Sequence, residues 1–214
     1  MGCMALCSPD AALLSRFGAL LAALALLASG CSQQARLAPL PADAVLLAFG
    51  DSLTYGTGAN EGESYPARLA RLTGRRVVRE GVPGEVSDAG LARLPAALDA
   101  HRPRLLLLCH GGNDFLRRLP KEKTADNVRA MIRLARDRGI DVVLIGTPEI
   151  GITLTPPDFY AAIAKQSGVP YEGDVLTRIL RNGELKYDQV HPNAKGYLLM
   201  AERVAELLRK SGAL

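Results

Sequence analysis

Short aliphatic runs alternating with stretches of helical periodicity set the pattern of this chain. Val45–Phe49 and Leu105–Leu108 are apolar at every position, as strands covered on both faces must be, and Ile140–Ile145 is nearly so. Arg76–Arg79 reads as a shorter strand and Val169–Tyr171 as an edge strand. A helix opened by Ser64 and Pro66 places Tyr65, Leu69 and Leu72 on one face and ends at Gly74. A second starts at Ser87 with Leu91, Leu94 and Leu98 inward, and Pro95 should interrupt or restart it. A third, opened by Thr124 and closed by Gly139, carries Val128, Met131, Ile132 and Ala135 on one side. Two shorter helices cover 158–167 and 174–180, and the last, from Asn193, buries Tyr197, Met200, Val204 and Leu208. This alternation predicts an α/β fold: one parallel sheet of about five strands, order 2-1-3-4-5, with helices on both faces.

The first thirty residues break the pattern. Arg16 precedes an apolar run, Phe17–Leu27, too short to span a bilayer as a permanent helix, and small residues follow it. Leu27-Ala28-Ser29-Gly30-Cys31 resembles a bacterial lipoprotein signal, in which cleavage precedes a cysteine that is then lipidated. Ala28 stands where such signals usually have Leu, and an ordinary signal peptide is the alternative. The long amino end before Arg16, with Cys3 and Cys7, is atypical of these signals and would fit a start further along. The expected organisation is a signal peptide over 1–30, a polar, proline-bearing tether over 31–43 and one domain over 44–214. Ser32 follows the cysteine where Asp would commonly mark inner-membrane retention. The expected location is therefore the cell envelope, on the outer membrane facing the periplasm, held by the lipid on Cys31.

Charge narrows the partners. Asp10 and Arg16 are the only charged residues lost with the signal, so the net charge of +4 is unchanged. The basic residues are scattered along helices without a long block, which argues against a nucleic-acid partner. Only Cys31 and Cys109 survive processing; with Cys31 lipidated, no disulfide is expected. Three histidines without ligand spacing suggest no metal, and no cofactor is implied. Cys109 ends a buried strand and reads as core, and His101 follows a helix and reads as exposed.

The candidate chemistry lies just beyond strand ends and before the last helix. Gly50-Asp51-Ser52 turns the chain sharply after the first strand, where open α/β sheets collect ligands, and offers Ser52 as a nucleophile. Asp188 and His191 stand three residues apart in a turn before the last helix. A carboxylate there can accept the Nδ1–H and leave Nε2 to serve as a base. Asn113, after two glycines, offers a side-chain amide to an oxyanion; the N–H groups of Gly84 and Ser52 complete the donor set. Asp114 would tie down its loop. The irregular stretch 146–157, through Ile150, Ile152 and Leu154, is expected to border the acyl site; His110, beside the oxyanion loop, is a candidate for the pocket wall, with a structural role the stronger reading.

Taken together, F-G-D-S-L-T-Y-G from Phe49, Gly84, G-G-N-D from Gly111 and D-Q-V-H-P from Asp188 resemble the four blocks of the SGNH (GDSL) hydrolases. The four letters match Ser52, Gly84, Asn113 and His191, and the resemblance covers nearly the whole chain after the tether. Gly90-Leu91-Ala92-Arg93-Leu94-Pro95 adds a likeness to the secreted thioesterase, lysophospholipase and arylesterase branch, while Arg79 and Val86 depart from its usual Asn and Thr. The resemblance implies a flavodoxin-like three-layer fold, hydrolysis of a small-molecule acyl ester or thioester through an acyl-serine, and no metal. Removal of acetyl groups from carbohydrate or cell-wall glycan is a sister reading. A non-catalytic envelope lipoprotein that only binds ligands is the reading from another class.

Overall fold

The computed structural model describes residue 2 and residues 35–214 apart from Ile152; the expected signal peptide and Cys31 lie outside them. Five parallel strands, β1 (Val45–Gly50), β2 (Arg76–Gly81), β3 (Leu105–Cys109), β4 (Asp141–Ile145) and β5 (Tyr171–Glu172), form a sheet in the order β2-β1-β3-β4-β5. The expected order is thus observed, with β1 and β3 inside the sheet. The apolar runs are continuous because both faces are covered. On β3, Leu105, Leu107 and Cys109 enter one core and Leu106 and Leu108 the other.

The first core is closed by α2 (Tyr65–Thr73) and α8 (Ala194–Ser211), whose Tyr65, Leu69, Tyr197, Met200, Val204 and Leu208 are fully buried. The second is closed by α3 (Ser87–His101), α5 (Lys121–Arg136) and α6 (Phe159–Ser167), through residues such as Leu94, Val128, Met131 and Ile163. Two short helices, α1 (Ser52–Tyr55) and α4 (Gly112–Leu116), stand just beyond β1 and β3, and α7 (Val175–Arg181) follows β5.

Some local expectations are corrected. Pro95 does not interrupt α3, which runs unbroken through it. The missing Pro95 N–H is offset by Leu94 and Leu98, both buried against the sheet. Helix α5 begins at Lys121, a turn earlier than Thr124, whose hydroxyl instead bonds Asp114 inside the protein. Leu72 is 44% exposed rather than buried. The last part of the expected tether is docked chain: Leu37 N–H and Leu40 N–H donate to Ser211 and Ala213 carbonyls, and Leu40 is buried.

Candidate active site

Ser52 opens α1 directly after β1. Gly50 permits the turn because a Cβ there would lie 2.0 Å from the Cys109 carbonyl of the neighbouring strand. Asp51 caps α1, its Oδ1 accepting the Leu53 N–H at 3.0 Å. The partner arrives from the far end of the chain. The 184–193 loop folds on itself through Tyr187 N–H to the His191 carbonyl and through Asn193, whose side chain bonds Glu184 and caps α8. Within that loop Asp188 Oδ1 accepts the N–H groups of Val190 and His191, both at 2.8 Å, while Oδ2 accepts His191 Nδ1–H at 2.8 Å. His191 Nε2 is left to face Ser52 Oγ at 3.0 Å. Partial burial opposes ionisation of Asp188, but the imidazole and the two backbone donors outweigh it and hold the carboxyl below the usual carboxylate range. It is therefore a charged, oriented acceptor.

Three further groups look into the same cavity of about 280 Å³. Gly84 takes a positive φ of 78° in the loop after β2, a conformation glycine adopts without strain. Neither its N–H nor that of Ser52 has an acceptor among the described residues. Asn113, on α4, reaches the cavity wall, but both hydrogens of its amide are engaged, one with the Glu85 carbonyl at 3.0 Å and one with Asp51 Oδ2 at 3.3 Å. Asp114 holds α3 and α5 together by accepting Ser87 N–H, Ser87 Oγ–H and Thr124 Oγ1–H, so its tying role is seen in full.

The cavity is walled by Leu53, Leu116, Ile150, Leu180 and Val190 among others. Ile150 is thus where it was expected, and Ile152 lies outside the described residues. His110 and Leu154 do not line the cavity. Leu154 sits half-buried at φ 50° away from it, and His110 is completely buried behind it. The reason lies in a buried polar chain that local sequence did not reveal. Gly111 N–H donates to His110 Nδ1, so Nε2 carries the proton and donates to Glu85 Oε2 at 3.0 Å. Arg93 grips the same Glu85 from α3 through Nε at 2.7 Å and a second nitrogen at 2.9 Å. It also reaches Glu80 and the Gly50 carbonyl and stacks 4.0 Å from the Phe49 ring centroid. Gly90 makes room for this chain, since a Cβ there would lie 2.2 Å from His110 Nε2. His101, expected exposed, is half-buried and bonds Glu80 at 2.8 Å. The one sequence signal for this chain was the Gly90–Pro95 segment.

Asp51 was also missed. Burial pushes its carboxyl above the ordinary value, against the pull of His110 and the Leu53 N–H. Burial, aided by Asp51, likewise pushes the Cys109 thiol up, so it is core and no nucleophile.

A sequence description of the GDSL-like Lipase/Acylhydrolase family matches residues 48–199. Esterase TesA of Pseudomonas aeruginosa is 30% identical over 204 residues, covering 86% of this chain and 98% of its own. An arylesterase of Vibrio mimicus is 32% identical, over 77% of this chain and 88% of its own. A crystal structure of TesA superimposes with a TM-score of 0.69 at 28% identity, over 78% of this chain and 99% of that one.

Proposed function

We propose, from the premise that this chain belongs to the GDSL-like lipase/acylhydrolase family and is a carboxylic ester hydrolase, that Ser52, His191 and Asp188 carry the reaction through an acyl-serine intermediate. The supporting observation is the unbroken relay from Ser52 Oγ to His191 Nε2 at 3.0 Å and from His191 Nδ1 to Asp188 at 2.8 Å, at the edge of an apolar cavity. Ser52 Oγ attacks the ester carbonyl while His191 takes its proton, and Asp188 stabilises the imidazolium. The oxyanion is met by the N–H groups of Ser52 and Gly84 and by the Asn113 amide. The hydrogen that turns to it is the one now spent on the long 3.3 Å contact to Asp51. Collapse expels the alcohol or thiol, protonated by His191, and water repeats the sequence to release the acid.

The cavity sits just below the range of about 300–1,000 Å³ usual for small-molecule sites. Its walls are aliphatic, which favours a short or medium acyl chain over a sugar acetyl. Thioesters remain within reach, as one relative is named thioesterase 1/protease 1/lysophospholipase L1 of Escherichia coli. The envelope lipoprotein reading rests on Cys31 and the signal-like run before it. A fluorophosphonate probe should label the wild type and not Ser52→Ala, and p-nitrophenyl esters from acetyl to palmitoyl should peak below palmitoyl. An unlabelled wild type would overturn the nucleophile. Ile150→Asp should depress longer esters more than acetate; equal loss on both would remove Ile150 from the acyl site. Radiolabelled palmitate should mark the wild type and not Cys31→Ser, and an unlabelled wild type in the soluble fraction would refute the anchor.

A further inference from the structure

All five strands run the same way, so the cavity lies at their carboxyl ends and the helices end at the opposite pole. That pole is basic. Arg76 opens β2, Arg102 and Arg104 precede β3, and Arg209 closes α8, all of them exposed. Arg136 and Arg138 stand at the end of α5, and Arg36 lies beside Gly212 at the end of α8. Asp43, Asp99, Asp137, Asp141 and Glu206 are acids of the same pole, and Asp99 is paired with Arg138. Lys210, also there, is paired with Glu206. The cavity end is mixed: Glu63, Glu184 and Asp188 stand around it together with Lys195 and with Arg117, which donates to the Gly84 carbonyl. The modest overall charge of +4 therefore includes a pole where exposed arginines outnumber the acids.

The chain enters the domain at this same pole. Leu37 and Leu40 are fixed to the end of α8 by backbone hydrogen bonds, so the segment ahead of them is much shorter than the 31–43 stretch suggests. Covalent geometry allows no more than about 18 Å of extended chain between residues 31 and 36. A domain of this length is roughly 40 Å across. A lipid on Cys31 could not reach a bilayer lying against the cavity end.

We propose that the basic pole is a docking surface for an anionic phospholipid bilayer, which turns the Ser52 cavity away from the membrane. The orientation rests in part on the lipid-anchor reading; the attraction to anionic headgroups does not, and it can be measured without lipid on the protein. Basic clusters near a bilayer bind acidic headgroups in this way, with salt screening the attraction. The acyl substrate is then collected from the aqueous side, and access to the cavity does not require extraction from the bilayer beneath.

The test uses the mature chain beginning at residue 31 and carrying Cys31→Ser, sedimented with vesicles of phosphatidylcholine alone or mixed with phosphatidylglycerol. Binding should be at least tenfold stronger to the anionic vesicles at about 0.1 M salt, and that preference should vanish near 1 M, where the Debye length is about 3 Å. The triple variant Arg76→Glu, Arg102→Glu and Arg104→Glu should lose the preference while hydrolysing p-nitrophenyl acetate as before. Arg36→Glu with Arg209→Glu serves as a second variant, should the triple variant misfold. Equal binding to both vesicles, retention of the preference by a folded variant, or binding to an acidic polysaccharide but not to anionic vesicles would overturn the proposal. Loss of esterase activity in the wild type would instead strike the catalytic reading and leave the vesicle result standing.

Discussion

In the proposed mechanism Asn113 is prepared for a transition state that it does not meet at rest. Both amide hydrogens are spent, yet the bond to the Glu85 carbonyl is the shorter and fixes the side chain, while the contact to Asp51 is long and can be exchanged. Asn113→Ala should therefore lower kcat by about a hundred- to a thousandfold, the usual cost of one oxyanion donor, with little change in KM. Near-normal kcat in steady-state assays would exclude it from the donor set. Asp51 gives a pH prediction. Burial raises its folded value above the ordinary 3.8, so the native state binds more protons than the unfolded chain between those two values. Stability contributed by this group is present below the unfolded value and is lost as pH rises through the folded one. The melting temperature of Asp51→Asn should thus gain on the wild type as pH rises from about 4. Parallel melting curves across that range would mean that burial costs Asp51 nothing.

Among the elements, α3 carries more than its packing. Arg93 projects from it to hold Glu85, and the Glu85 carbonyl in turn holds Asn113, beside the Gly84 N–H. Arg93→Met leaves the nearly buried Glu85 carboxylate with only His110 as its side-chain partner. Hydrogen bonds to charged groups contribute about 1.5–3 kcal/mol, so the variant should melt lower. It should also lose kcat with KM nearly kept, because the displaced loop bears the proposed oxyanion donors. A drop in stability with kcat intact would reduce Arg93 to a structural residue. Beyond the Gly90–Pro95 segment, none of this pairing was legible beforehand, since Glu80, Glu85, Arg93 and His110 meet only once β1, β2 and β3 lie side by side. His110 was visible beside the Gly-Gly-Asn-Asp loop, and of its two readings, pocket wall and structural support, the structure has the second. Pro95 was misjudged for a related reason: a local helix breaker is outweighed when Leu94 and Leu98 on either side are buried against the sheet.

At the scale of the whole molecule, the strand order was readable because continuous aliphatic runs need cover on both faces, and right-handed crossovers leave few ways to arrange it. Ser52, Asp188 and His191 were readable as a candidate set because each sits in a short local word, and the fold needs only to bring Ser52 and the 188–192 turn to one end of the sheet. The entry of the chain was not. A polar, proline-bearing stretch looks like free tether, yet its second half is fastened to the carboxyl end of α8, with Leu40 in the core shared with α8. Two amino-terminal truncations distinguish these pictures. A chain beginning at Ala35 keeps both backbone bonds and should melt like the intact domain. One beginning at Asp43 loses the buried Leu40 side chain, about 1.5–3 kcal/mol, and two backbone hydrogen bonds of about 0.5–1.5 kcal/mol each. It should melt distinctly lower, while Ser52, at the other pole, should keep its kcat at temperatures where the variant stays folded. Equal melting of the two truncated chains would show that residues 37–40 are free after all, and would restore the longer reach that a docked pole denies.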